Sequence, residues 1–165
     1  MEEGAPGWGV GPRSKALQVC AALNAAGAQY LVIGGVACVL HGYARATTDV
    51  DILIERTRDN AERILEGLST IGYSFARELV PEEILERPIF VIGDDPAGDI
   101  FLVAWSVKYD QAIKRSSIVQ VEGVAIPLIG LDDLIETKRT GRPLDTADIE
   151  ALEQIKRLRG EGAET

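Results

Sequence analysis

Apolar positions along this chain switch between helical and strand spacing, and the switches divide it into elements. Residues 1–12 show no such spacing and are rich in glycine and proline, which predicts a mobile tail. After Pro12, the positions Ala16, Leu17, Cys20, Leu23 and Asn24 recur at helical intervals, predicting a first helix that Gly27 ends. Tyr30, Leu31, Val32 and Ile33 form a short β-favouring run closed by Gly34 and Gly35. Residues 36–41 are apolar with small members and suit a buried helix. Residues 49–54 alternate, with Asp49 and Asp51 on one face and Val50, Ile52 and Ile54 mostly on the other.

Beyond this second strand, Thr57 or Asp59 can cap a helix reaching Ile71, with Ala61, Ile64, Leu65 and Leu68 as its apolar face. Gly72 closes it. Residues 73–76 read as a short strand and 80–86 as a helical turn begun by Pro81. Strands are expected over 88–93 and 99–105, joined by a turn at 94–98 in which Asp94 and Asp95 are solvated. Residues 108–115 read as helical, and 117–120 with 124–127 as a hairpin around Glu122 and Gly123. A helix over 131–140, capped at Asp132 or the residue before it, stops at Gly141. A last helix covers 146–158, and the polar end 160–165 is expected to fray. Strands interleaved with helices imply a mixed α/β (α+β) chain whose mixed sheet is flanked by helices. With no repeat and no dividing linker, residues 13–160 are expected to form one domain.

Composition narrows the function classes. The 165 residues are 46% hydrophobic, ample for a core, yet contain no transmembrane run. The acidic, Gly/Pro-rich start lacks the basic-then-apolar form of a signal peptide, and a cytoplasmic protein is expected. Cys20 and Cys38 both fall in apolar helical patterns and read as buried thiols. A single histidine argues against a His-rich zinc site. The net charge of −9 argues against a broad non-specific nucleic-acid surface, while leaving room for a small basic groove beside an acidic site.

The candidate chemistry begins at Asp49 and Asp51. Two carboxylates on one side of an otherwise apolar strand are costly to bury unpaired, so they sit at a rim or bind a cation. Residues two apart on a strand lie about 6.5–7 Å apart, a spacing suited to two carboxylates converging on Mg²⁺. Asp99 is the carboxylate set at the start of a later apolar strand, where the alternation of strands and helices would bring it beside them. Three carboxylates on adjacent strands can hold two divalent ions about 3.5–4 Å apart, an arrangement that aligns a nucleoside triphosphate. A glycine turn feeding a helix supplies backbone N–H groups for phosphates, the role expected of Gly34 and Gly35.

This ordered set resembles the polymerase-β-like nucleotidyltransferase superfamily. Within it, GGVACVLHGYARATTDVDILI is similar to the small toxin nucleotidyltransferases of the abortive-infection (AbiEii-like) type. The matching positions are Gly34, Gly35, Ala37, His41, Gly42, Arg45, Thr48, Asp49 and Asp51. LDDLIETKRTGRPLDTADIEAL is similar to that group's closing motif, with Lys138, Arg142, Asp145 and Asp148 at corresponding places. The resemblance implies a nucleotidyltransferase core followed by C-terminal helices. It implies Asp49 and Asp51 as metal ligands, Asp99 as third ligand or proton acceptor, and Lys138 near the nucleotide phosphates. Gly34, Gly35, Arg45 and Thr48 complete the implied nucleotide-binding set. The implied cofactor is Mg²⁺ in a two-metal site, with Mn²⁺ as a substitute. The implied reaction moves a nucleoside monophosphate from a triphosphate to a hydroxyl on RNA, protein or a small molecule. The implied partner is a cognate antitoxin or toxin protein, with no membrane.

Plainer readings stand beside these. His41 lies among apolar residues and suits a structural hydrogen bond. Arg45 can reach a phosphate or pair with a carboxylate, and Thr47 and Thr48 can fix the loop before the strand. Arg142, Asp145 and Asp148 can form ion pairs joining the last two helices. Lys138 can belong to a solvated helix face, and Trp105 to the core or to an interface. The competing functions are a non-catalytic nucleotide- or partner-binding module and an aminoglycoside-type transferase.

Overall fold

The computed structural model describes residues 14–47, 49–94 and 97–163. The tail expected at 1–12 lies outside them, as do Thr48 and Asp95. The described residues form a six-stranded mixed sheet with seven α-helices. The first helix, α1 (Lys15–Ala25), starts at Ser14, whose Oγ accepts the Leu17 N–H at 3.2 Å. Gly27 follows its end at φ +73°, a region that favours glycine. Strand β1 (Tyr30–Ile33) is buried throughout and runs straight into α2 (Gly34–Leu40). Strand β2 (Val50–Ile54) returns antiparallel to it. Next, α3 (Arg58–Ser69) is capped by Thr57, whose hydroxyl accepts the Asn60 N–H, and buries Ala61, Ile64, Leu65 and Leu68 as their spacing requires.

The expected strand at 73–76 is instead a 3-10 helix over Ser74–Glu78. Tyr73 and Ala76 are both buried, and three-residue spacing places them on one side of a 3-10 turn, where a strand would need a two-residue period. The short α4 (Pro81–Leu85) follows, then β3 (Ile89–Asp94) and β4 (Ala97–Phe101). Asp94, Ala97 and Gly98 belong to these two strands, so the connection is tighter than the turn expected at 94–98. β4 also stops four residues short of Trp105: Leu102–Val107 leave the sheet, and Ala104 pairs with Val107 in a separate reverse turn.

Helix α5 (Tyr109–Ala112) and a 3-10 turn at Ile113–Arg115 lead into the hairpin of β5 (Ser117–Val121) and β6 (Val124–Leu128). Its two-residue turn holds Glu122 and Gly123, both at positive φ, the geometry that matches strand twist. Helix α6 (Leu131–Thr137) is preceded by Gly130, not capped at Asp132, and ends three residues before the expected Thr140. Helix α7 (Pro143–Ala163) begins three residues earlier than expected because Pro143 takes the first helical position, and it runs through residues expected to fray.

The strand order β3-β4-β2-β1-β6-β5 puts β1 and β2 in the middle. β2 and β4 lie parallel, with Val50 opposite Gly98 and Asp51 opposite Asp99. A Cβ built on Gly98 would collide with the Val50 carbonyl oxygen. Glycine there is what lets the two strands close to hydrogen-bonding distance beside the aspartates. Cys20 and Cys38 are buried free thiols, and burial pushes Cys20 up to about 11. Among the described residues no helix is long and apolar enough to cross a membrane.

Gly98→Ala should therefore force β4 away from β2 and cost about 1–3 kcal/mol, the usual range for overpacking. Urea unfolding of the two proteins checks this. An unchanged midpoint would show that the close approach is not required.

Candidate active site

Three elements converge where β1 ends and β2 begins. Gly34 is the first residue of α2 and has φ +69°; a Cβ on it would stand 2.5 Å from Asp51 Oδ2. Glycine there serves two needs at once, a left-handed turn out of β1 and room for a carboxylate against the backbone. Gly35 makes the same concession to Thr47, whose Oγ1 would lie 2.5 Å from an added Cβ. The β1–β2 ladder sets Ile33 opposite Asp51, and the β2–β4 ladder sets Asp51 opposite Asp99. Registered neighbours point to the same side of a sheet, so Asp51 and Asp99 share one face. Asp51 Oδ1 accepts the Asp99 backbone N–H at 3.1 Å.

Asp51 is half-buried, and its carboxyl is pushed up to about 6. Burial is the largest cause, followed by the negative charge of Asp99; Asp49 adds to it, while the Asp99 N–H and Lys138 oppose it. Asp99 is also raised, by burial and then by Asp49. Asp49 is exposed just before β2. Thr48 lies outside the described residues.

These residues suit a hard divalent cation in their chemistry. The donors are all carboxylate oxygens, and their mutual repulsion is what a bound positive charge would relieve. Among the described residues, no three histidine, cysteine or acidic side chains are already drawn together closely enough to cage an ion. The fit lies in donor type and shared placement on the sheet.

Arg45 makes the carboxylate pair that is one of its two expected roles, and Lys138 shares the same partner. Lys138 is only 8% exposed, so it does not belong to a solvated helix face. Its Nζ lies 2.9 Å from Asp148 Oδ2 and 3.7 Å from Asp145 Oδ1. Arg45 also donates to Asp148 Oδ2, at 2.6 Å. Asp148 is fully buried on α7, and its Oδ1 has no hydrogen-bond partner. Removing one side of such a pair strands a buried charge, typically at about 3–5 kcal/mol. Arg142 pairs with Asp145 at 2.8 Å, and Thr140 donates to the same carboxylate. The ion pairs expected among Arg142, Asp145 and Asp148 thus exist in part, with Asp148 turned to Lys138 and Arg45. The sequence anticipates a carboxylate for Arg45 and an ion pair for Asp148, but not Lys138 on the same carboxylate. The signal for that hub was the three-residue spacing of Asp145 and Asp148 on a helix that also buries Leu152.

His41 makes the structural bond expected of it, with Nε2 2.7 Å from the Ile129 carbonyl oxygen. A cavity of about 450 Å³, lined in part by Ile54, Leu102, Lys108 and Tyr109, opens at the far end of β2 and includes none of the three aspartates.

No protein-family model matches the chain, and no curated protein matches it in sequence. Solved structures do. One is an antigenic nucleotidyltransferase-like protein from Paracoccidioides brasiliensis, 16% identical, with TM-score 0.57 over 88% of this chain and 78% of that one. Another is a putative nucleotidyltransferase from Thermotoga maritima, 15% identical, with TM-score 0.50 over 87% of this chain and 89% of that one. The chain therefore has a nucleotidyltransferase-like fold.

The raised Asp51 carboxyl has a consequence for stability. Its folded value is about 6, above the roughly 3.9 of an unfolded aspartate. Between these values the folded state holds the proton more tightly, so stability falls as pH rises through this window. Asp51→Asn removes the deficit and keeps the acceptor for the Asp99 N–H. Without divalent metal, it should stabilise the protein at pH 7.5 by about 1–3 kcal/mol and have little effect near pH 4. Thermal melts in chelator at both pH values decide it; a less stable variant at pH 7.5 contradicts the assignment.

Proposed function

We propose that this chain is a divalent-metal-dependent nucleotidyltransferase, transferring a nucleoside monophosphate from a triphosphate to an acceptor hydroxyl. The observation that carries the reading is the in-register pair Asp51 and Asp99, both raised, with Asp51 packed against the glycine turn at Gly34. The nucleotidyltransferase-like fold supports it independently. Asp49, Asp51 and Asp99 would hold Mg²⁺, or Mn²⁺ in its place. When bound, such ions supply positive charge that aligns the triphosphate and offsets the charge of the leaving pyrophosphate.

The chain's own residues contribute the rest. Gly34 and Gly35 let Asp51 and Thr47 pack against the start of α2, whose backbone N–H groups would meet the phosphates. Asp99 accepts the proton of the acceptor hydroxyl on a carboxylate oxygen, a task its raised carboxyl suits. The acceptor oxygen bonds to the α-phosphorus as the bond to the bridging oxygen breaks, and pyrophosphate leaves with that oxygen. Lys138 gives positive charge near Asp51, and Arg45 and Thr48 complete the nucleotide-binding set that the resemblance implies. The acceptor is RNA, a protein or a small molecule. The resemblance to AbiEii-like toxins favours a cytoplasmic toxin–antitoxin or phage-defence role with a cognate antitoxin protein.

One observation favours a second reading, a module that binds nucleotide or a partner without turnover. Both candidate phosphate-binding cations, Lys138 and Arg45, are already engaged by Asp148. Label transfer separates the two. The protein is incubated with each α-labelled nucleoside triphosphate, Mg²⁺ or Mn²⁺, and total RNA or cell lysate. Transferase activity should label an acceptor, and Asp51→Asn or Asp99→Asn should lower the rate at least a hundredfold, as losing one principal electrostatic group commonly does. Labelling that survives both substitutions would overturn the transferase reading. Metal-independent nucleotide binding with no labelling would favour the module.

A further inference from the structure

Trp105 is 59% exposed and has φ +60°. It occupies the first central position of a two-residue reverse turn closed by two bonds, Ala104 N–H to the Val107 carbonyl at 2.9 Å and Val107 N–H to the Ala104 carbonyl at 3.0 Å. That position favours glycine, and for a bulky L-residue it is strained. The fold thus accepts an unfavourable backbone and an indole left largely in water. Ala104 and Val107, by contrast, are buried, so the stem of the turn is fixed while its tip is offered outward. Backbone strain of this kind is commonly kept where it serves a site.

The turn is tied to the candidate active site from two directions. Asp99 and Phe101 lie on one face of β4, in register with Asp51 and Leu53 of β2. Phe101 is about 7 Å from Asp99 along the strand, and the chain leaving Phe101 makes the Trp105 turn. On the other side, Ser106 Oγ donates to Glu136 Oε2 at 3.2 Å. Glu136 is near the end of α6, and the next residue but one is Lys138, whose charge acts on Asp51. Beside these, β3 extends the same sheet face with Ile89 opposite Phe101 and Val91 opposite Asp99, and Val91 is 73% exposed. Ile89 and Val91 thus leave an exposed apolar edge beside Phe101 and Asp99, and the anchored Trp105 turn follows Phe101 in the chain.

We propose that Trp105 is the stacking platform for the nucleobase of the donor triphosphate, whose phosphates lie at Asp51 and Asp99. The inference rests on the transferase reading for the position of the phosphates. An indole face attracts any base, more strongly the larger purine ring, so this platform favours ATP and GTP over CTP and UTP. The leucine-sized alternatives common in cores would not give this preference. The anchored turn needs no rearrangement to present the ring, which limits the ordering cost of binding.

The chain has two tryptophans, so Trp8→Phe leaves Trp105 as the sole indole reporter. In that background, ATP or GTP with Mg²⁺ should quench Trp105 emission saturably. Trp105→Gly should raise the ATP dissociation constant roughly tenfold, about 1.4 kcal/mol. Inorganic tripolyphosphate, which lacks a base, should bind both proteins equally. Trp105→Phe should recover most of the affinity. Trp105→Gly should also melt no lower than its parent, because glycine is at ease at this φ; a purely structural tryptophan would lose stability there. Normal ATP binding by equilibrium dialysis with unchanged emission and no loss in Trp105→Gly would overturn the platform alone. Absence of any triphosphate binding in the parent protein would overturn the transferase reading and the platform with it.

Discussion

The approach of β4 to β2 at Gly98 is the constraint on which the candidate site depends. With no side chain at that position, the strands come together opposite Val50, and the next rung brings Asp51 level with Asp99. Two carboxylates on adjacent strands are then held on one face in a half-buried setting, where burial and the charge of Asp99 disfavour ionisation of Asp51. Gly34 completes the arrangement by clearing space for Asp51 against the start of α2. The strain in this corner is electrostatic, and it is located where a cation and a polyanionic substrate would remove it.

A second layer of charge lies behind the first. Asp148 draws Lys138 from the end of α6 and Arg45 from the loop before β2, joining three segments far apart in sequence through one buried carboxylate. This hub fixes the closing helices against the core, and it leaves Asp148 Oδ1 without a partner. A buried acid holding two cations has a large cost of disruption and modest net stabilisation, so its value is positional. It keeps positive charge next to Asp51 while preventing either side chain from swinging freely into solvent.

Much of the architecture was legible in the sequence because period and punctuation agreed. Tyr30–Ile33, the Thr57 cap and the Glu122-Gly123 hairpin are local decisions, made by residues within a few positions of one another. The misread segments are those decided by distant partners. Residues 73–76 have strand-like composition, yet Tyr73 and Ala76 are buried three apart in a 3-10 helix. Trp105 is exposed, which excludes the core placement and leaves the interface one, because the chain leaves β4 at Phe101 and turns through Ala104 and Val107. The aspartates were recognisable from alternation and from their resemblance to a known motif. Their register depended on the strand order, and the engagement of Lys138 by Asp148 on a packing of two helices that no local pattern encodes.

The central claim is that Asp51, with Asp99 beside it, forms a carboxylate site for a divalent cation. Calorimetric titration with Mn²⁺ at pH 6, repeated in two buffers of different ionisation enthalpy, measures both binding and proton release. With the Asp51 carboxyl held at about 6, binding at pH 6 should release roughly half a proton, and the release should vanish at pH 8. Asp51→Asn should abolish the released proton and weaken binding. No Mn²⁺ binding, or binding that releases no proton and ignores the Asp51→Asn change, would contradict the claim.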